Sequence, residues 1–177
     1  MDIDLSELRG EPYRFDVGFE VTAEEMREPV VVGPLSVHLE GTVRRVADGF
    51  EVAGRLDARG SVSCARCTAA IPWSAHESFD FELRSAQAAP VVEELELAAE
   101  ELEVVFSESD SLDLHELALQ QVLLALPMKP LCNEHCAGLC PRCGADLNAG
   151  EACRCESSSV DPRWAPLLAL KDDPDRS

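Results

Sequence analysis

Residues 35–62 read LSVHLEGTVRRVADGFEVAGRLDARGSV, two runs of alternating apolar and polar side chains joined at Asp48-Gly49. In the first run Leu35, Val37, Leu39 and Val43 share one face, with His38, Glu40, Thr42 and Arg44 opposite. In the second, Phe50, Val52, Leu56 and Val62 point one way, and Glu51, Arg55, Asp57 and Arg59 the other. Successive side chains of a strand point to opposite faces, so a period of two marks a strand with one dry and one wet side. Asp-Gly between such runs predicts a type I′ hairpin, whose two central residues need positive φ. A third run places Ile71, Trp73, Ala75, Phe79, Phe81 and Leu83 in one row. Glu77 interrupts that row, which predicts a bulge or a strand end. An earlier strand is expected around Tyr13 to Val21. Short connections make such neighbours antiparallel, so the expected core is an antiparallel β meander.

Downstream, residues 86–103 are rich in Ala and Glu and read as a loop with a short strand at Leu102 to Phe106. Asp113 and Glu116 have capping-box spacing, and Leu112 and Leu117 stand where a hydrophobic staple belongs. A helix is expected from about Leu114 to Ala125, stopping before Pro127. It is apolar on most sides, which predicts deep burial against the sheet. Beyond Pro130 the chain turns cysteine-rich as far as Cys155. Asp161-Pro162 then predicts the N-cap and first position of a short helix carrying Leu167, Leu168 and Leu170. The fold class expected is α+β, an antiparallel β meander packed by one buried helix, with a C-terminal cysteine-rich, zinc-ribbon-like module. Its parts are a body at 1–130, the zinc module with its short helix at 131–170, and a flexible tail at 171–177. No internal repeat stands out.

The chain has 177 residues and a formal net charge of −19. Between Arg84 and Lys129 there are ten acids and no Lys or Arg, whereas 128–164 holds four basic residues against five acidic ones. So acidic a molecule is poorly suited to grip a long phosphate backbone by counterion release. The acidic block reads as a solvated face, or as a docking surface for a basic protein. Met1 to Glu20 carries no apolar run of the kind a signal peptide needs, and no stretch approaches the ~18 apolar residues of a membrane span. A cytoplasmic protein is expected. In a reducing compartment, cysteines serve as metal ligands or redox pairs more often than as disulfides.

Eight cysteines fall into four close pairs: Cys64 and Cys67, Cys132 and Cys136, Cys140 and Cys143, Cys153 and Cys155. Tetrahedral zinc takes four thiolates, and one tight turn can deliver two of them. Cys140-Pro-Arg-Cys143-Gly144 has the form of a zinc knuckle. Two zinc ions would use all eight. The favoured grouping joins Cys64 and Cys67 to Cys132 and Cys136, and leaves Cys140, Cys143, Cys153 and Cys155 as a local site. The rival grouping joins Cys132 and Cys136 to Cys140 and Cys143. His135 is an alternative ligand to Cys136, and iron an alternative to zinc. All-cysteine sites are closed, which argues against a catalytic metal. A thiol-redox or metal-sensing role for Cys64 and Cys67 would need a thiol activated at a strand-to-helix turn, yet the pair falls between two strands. The four histidines join no serine or carboxylate motif and no phosphate loop is present, so neither an enzyme nor a small-molecule substrate is expected.

Several of these residues together resemble one family. Cys64-Ala-Arg-Cys67, Leu112-Asp113-Leu114, Leu126-Pro127, Pro130-Leu131-Cys132, Gly138-Leu139-Cys140-Pro141-Arg142-Cys143-Gly144, Asp146-Leu147-Asn148 and Asp161-Pro162-Arg163 follow the order seen in the YceD-like family. This is the large-ribosomal-RNA-subunit accumulation family of bacteria and chloroplasts, and the resemblance runs from about Gly33 to Leu170. It implies a role in 23S rRNA accumulation or processing and in large-subunit assembly, and with no catalytic constellation in the residues a non-enzymatic factor is expected. The partners it implies are a large-subunit ribosomal protein or an rRNA precursor.

Overall fold

The computed structural model describes residues 1–88 and 104–150, together with Cys153, Cys155 and Arg163. It forms two compact units that divide after Cys136. In the first, a five-stranded sheet is built from β2 (Tyr13–Val21), β3 (Leu35–Val46), β4 (Gly49–Ser63), β5 (Ala70–Ser85) and β6 (Val104–Ser107), in that spatial order. A two-stranded ribbon pairs β1 (Asp2–Asp4) with β7 (Ser111–Asp113). One helical turn, α1 (Ala23–Met26), follows β2, and the twelve-residue helix α2 (Leu114–Ala125) follows β7.

The alternation in the sequence carries directly into burial. Leu35, Val37, Leu39 and Val43 of β3 and Val52, Leu56 and Val62 of β4 are all buried, while His38, Glu40 and Arg44 face water. Among the described residues no polar or charged side chain is buried. The described residues are mostly β, with one long helix. Its sheet is mixed, not wholly antiparallel as expected: β2 to β5 pair antiparallel with their neighbours, but β6 runs parallel to β5. Parallel neighbours require a long crossover, and residues 86–103 supply one. Six of the ten acids between Arg84 and Lys129 fall at 93–103, outside the described residues, as do the final helix expected after Asp161-Pro162 and the tail.

Two local expectations are corrected. The β3–β4 hairpin exists, but Val46 pairs with Gly49 across a loop of Ala47 and Asp48, and neither these nor Gly49 has positive φ. The turn is not type I′. Gly49 is needed for close approach instead, since a Cβ there would strike the Leu83 carbonyl of β5. Nor is there a bulge at Glu77. It pairs with Leu56 in unbroken register, and its exposed carboxylate needs no detour of the strand to reach water. Two rows along, Phe15, Gly41, Gly54 and Phe79 stand side by side across four strands. A Cβ on Gly41 would lie 2.6 Å from Phe15 Cζ, and one on Gly54 2.6 Å from Phe79 Cζ. The two rings fill the dent that the glycines leave, a known way to stabilise glycine within a sheet.

Helix α2 starts as its sequence predicts. Asp113 Oδ1 accepts hydrogen bonds from the amides of His115 (2.8 Å) and Glu116 (3.4 Å). Glu116 does not close the capping box; its Oε1 accepts from Gln120 Nε2 at 3.5 Å. Leu112 and Leu117 are both buried, as a staple requires. Deep burial of the whole helix is overturned. Leu114, Leu117, Ala118 and Val122 pack against β3, β4 and β5, but Leu124 is 80% exposed and Leu123 also meets solvent. One layer of sheet covers one stripe of a helix, and no described element lies on its other side. Among the described residues no helix is long and apolar enough to cross a membrane.

Candidate metal centres

The first centre is built at the tip of the β4–β5 hairpin. Beyond the last ladder pair, Ser63 with Ala70, the chain turns so that the Cys64 amide donates to Ala69 O (2.8 Å) and the Thr68 amide to Cys64 O (2.9 Å). Thr68 adopts φ +60°, a left-handed conformation unusual for a β-branched residue. This turn presents Cys64 and Cys67 on one side. The stretch after α2 presents Cys132 and Cys136, with Asn133 folding it: Asn133 Oδ1 accepts from His135 N (2.9 Å) and Asn133 O from Cys136 N (3.0 Å). The Ala65 amide donates to Pro130 O at 2.8 Å and joins the two halves. Cys64, Cys67 and Cys136 are buried and Cys132 is exposed.

The second centre lies wholly within the second unit. Gly144 N donates to Cys140 O (2.9 Å), Cys140 N to Ala145 O (2.8 Å) and Leu147 N to Gly138 O (2.9 Å), closing a small hairpin with Gly144 at φ +75°. Asn148 Oδ1 accepts from Ala137 N at 2.7 Å and ties its base. Here Cys140 is buried, Cys143 exposed, and Cys153 and Cys155 half-buried.

The two knuckles are copies of one another. Cys64-Ala-Arg-Cys-Thr-Ala69 and Cys140-Pro-Arg-Cys-Gly-Ala145 share Cys-x-Arg-Cys-x-Ala, the same pair of backbone hydrogen bonds and a positive φ at the fifth position. A six-residue repeat is thus present after all. It is too short to register as an architectural period, and it shows only when the cysteine turns are aligned. That alignment also brings out Arg66 and Thr68, which the cysteine spacings alone pass over.

None of the eight cysteines is in a disulfide. Cys64, Cys67, Cys132 and Cys136 bring their sulfurs within 4.8 Å of one another, as do Cys140, Cys143, Cys153 and Cys155. The rival grouping is not formed. A tetrahedron with metal–sulfur bonds of about 2.3 Å has edges of about 3.8 Å. The Sγ–Sγ separations are 3.8 Å for Cys64 and Cys136, 3.6 Å for Cys67 and Cys132, 3.7 Å for Cys143 and Cys153, and 3.3 Å for Cys140 and Cys153. Each set therefore has the size and donor chemistry to hold one metal ion.

Electrostatics point the same way. The backbone amide of Cys67, followed by those of Cys132 and Arg66, holds the Cys64 thiol down at about 6. The amides of Cys143 and Arg142, with the Cys153 thiol, do the same for Cys140, at about 6. Crowding by Cys136 and then Cys67 pushes Cys132 up to about 12. Cys143 and then Cys153 push Cys155 up to about 12. Each cluster thus holds one thiol well below the ordinary cysteine range and another well above it.

His135 stands outside the first cluster, where Cys136 supplies the sulfur. His38 and His76 lie on the polar face of the sheet, His38 Nε2 2.8 Å from Asp16 Oδ1 and His76 against Asp57. His115 meets Phe19 edge to face at 5.1 Å.

An uncharacterised protein of Mycobacterium tuberculosis is 32% identical over 132 residues, 75% of this chain and 60% of the relative. One of Mycobacterium bovis matches to the same extent. An uncharacterised protein of Mycobacterium leprae is 27% identical over 156 residues, 87% of this chain and 64% of the relative. The matched stretch thus spans less than two thirds of each relative's length. No solved structure matches. The family model described as "Large ribosomal RNA subunit accumulation protein YceD" matches residues 52–171, a span that contains both cysteine clusters. The chain belongs to the YceD family.

Proposed function

We propose that the chain is a non-enzymatic factor supporting 23S rRNA accumulation and large-subunit assembly, held together by two structural zinc ions. The observation that carries the reading is the sorting of eight thiols into two tetrahedron-sized sets, within a chain of this family. Four thiolates per ion select zinc over hard cations and leave no open coordination position, so the metal is architectural. In this reading residues 1–130 form the body and 131–170 a zinc-ribbon-like module, whose first two cysteines complete the body's own site. With eight ionised thiols and two zinc ions the charge moves from −19 to −23. That favours a basic large-subunit ribosomal protein as the partner over a bare rRNA precursor.

Native mass spectrometry before and after a strong chelator tests the metal. Two zinc ions per chain and no thiol open to a native-state alkylating reagent are expected; a metal-free chain with accessible thiols would refute it. Sedimentation of lysates tests the process, with the chain expected in large-subunit precursor fractions. The depressed Cys64 thiol would also suit a redox pair at Cys64 and Cys67. One bound ion with those two thiols titratable would favour that role.

A further inference from the structure

We infer that Arg66 is the positioning residue of the first centre, the side chain that holds the two halves of the ligand set together. The inference rests on the metal reading above and assigns a task that no cysteine performs. Arg66 lies between the ligands Cys64 and Cys67, yet its guanidinium reaches to the other half of the site. Nη1 donates to Glu134 O at 3.2 Å and to Cys136 O at 2.8 Å, across 68 and 70 residues of sequence. Its backbone amide lies 3.5 Å from Cys64 Sγ. One residue therefore touches a ligand on each side, a sulfur by its main chain and the Cys136 carbonyl by its side chain. Ala65 contributes the neighbouring link, from its amide to Pro130 O at 2.8 Å. Both residues between the two cysteines are thus spent on seating the opposite loop.

The chemistry suits arginine in particular. A charged donor makes shorter and stronger hydrogen bonds than a neutral one. Both bonds leave Nη1, whose hydrogens the planar guanidinium holds in fixed directions, whereas the donors of a lysine ammonium rotate at the end of a flexible stem. Four thiolates around one divalent cation leave a net charge of about −2, and a guanidinium beside them offsets part of it.

The test is zinc competition on the full, zinc-loaded chain. Chelator is titrated in while release is followed with a metallochromic dye. Release from the first centre is the component lost in Cys132→Ser, and release from the second is the component lost in Cys143→Ser. Arg66→Met keeps the stem and removes the donors. It is expected to weaken zinc binding at the first centre by about 10–100-fold, the usual effect of removing an outer-shell partner. The second centre should be unchanged, and Arg66→Lys should recover part of the loss. Far-UV circular dichroism of the zinc-saturated variants should match the parent; if Arg66→Met does not fold, the comparison of Arg66→Lys with the parent decides. Identical competition curves for parent and variant at the first centre would overturn the assignment, as would equal weakening at both centres. A parent chain with no zinc at the first centre would overturn the metal reading itself.

Discussion

Replacing Cys132 with serine removes one of the four sulfurs that tie the tip of the β4–β5 hairpin to the stretch after α2. The size of the effect follows from the loop that the proposed metal would close. Cys67 and Cys132 are 65 residues apart, whereas Cys143 and Cys153 are 10 apart. A metal clip restricts the unfolded chain as a covalent cross-link does. The chain-entropy relation gives about 4.3 kcal/mol for the longer loop and about 2.7 kcal/mol for the shorter at 25 °C. Against a domain stability of ~5–15 kcal/mol, the first figure is a large share. The assay is denaturant unfolding of the sheet, followed by far-UV circular dichroism, with and without chelator. Zinc-loaded Cys132→Ser should lose about 4 kcal/mol and become nearly insensitive to chelator. Cys143→Ser should leave the body within about 0.5 kcal/mol, because its loop closes within the other unit. If Cys132→Ser unfolds at the parent's midpoint, or if both substitutions cost the body equally, the first centre does not tie the hairpin tip to the stretch after α2.

Thr68→Gly should stabilise the chain by up to about 1 kcal/mol, since a left-handed residue with a Cβ costs about 1–2 kcal/mol and glycine's added chain entropy returns part of that; a lowered melting temperature would contradict it. Gly54→Ala should destabilise by about 1–3 kcal/mol through overpacking, because its Cβ would meet the Glu40 carbonyl and the Phe79 ring, and thermal denaturation measures it. Zinc binding at pH 7 should release protons, because Cys132 and Cys155, at about 12, are protonated there in the metal-free chain; a binding enthalpy independent of the buffer's ionisation heat would refute this. Zinc affinity should fall further as pH drops through about 6, where Cys64 and Cys140 also take up protons that the metal must displace; chelator competition at pH 5.5 and 7.5 checks the sign.

Periodicity carried most of the sheet. The two-residue alternation at 35–62 requires one dry and one wet face, and Leu35 to Val62 occupy them as read. Asp113, with Leu112 and Leu117 around it, marked the start of α2, and Pro127 its end. What stayed illegible depends on distant neighbours. A glycine at 49 reads as a demand for positive φ, but it answers the nearness of Leu83, a residue on another strand. The parallel pairing of β6 hangs on a crossover whose local pattern names no partner. A helix apolar on most sides reads as well buried, yet Leu124 meets water because burying that side needs a second layer. Spacing within each cysteine pair was plain. The grouping of the pairs was open until the hairpin tip and the stretch after α2 were brought together in space.

The long separation within the first centre also has a consequence for the order of events at the ribosome. Cys64 and Cys136 are 72 residues apart, so at ~5–20 residues per second of synthesis the hairpin tip waits about 4–14 s for its counterpart. For that interval the nascent chain carries Cys64 and Cys67 before the cysteines they meet have been made. Under the proposed two-zinc reading, newly made copies depend on the reductants around them until all four sulfurs can meet.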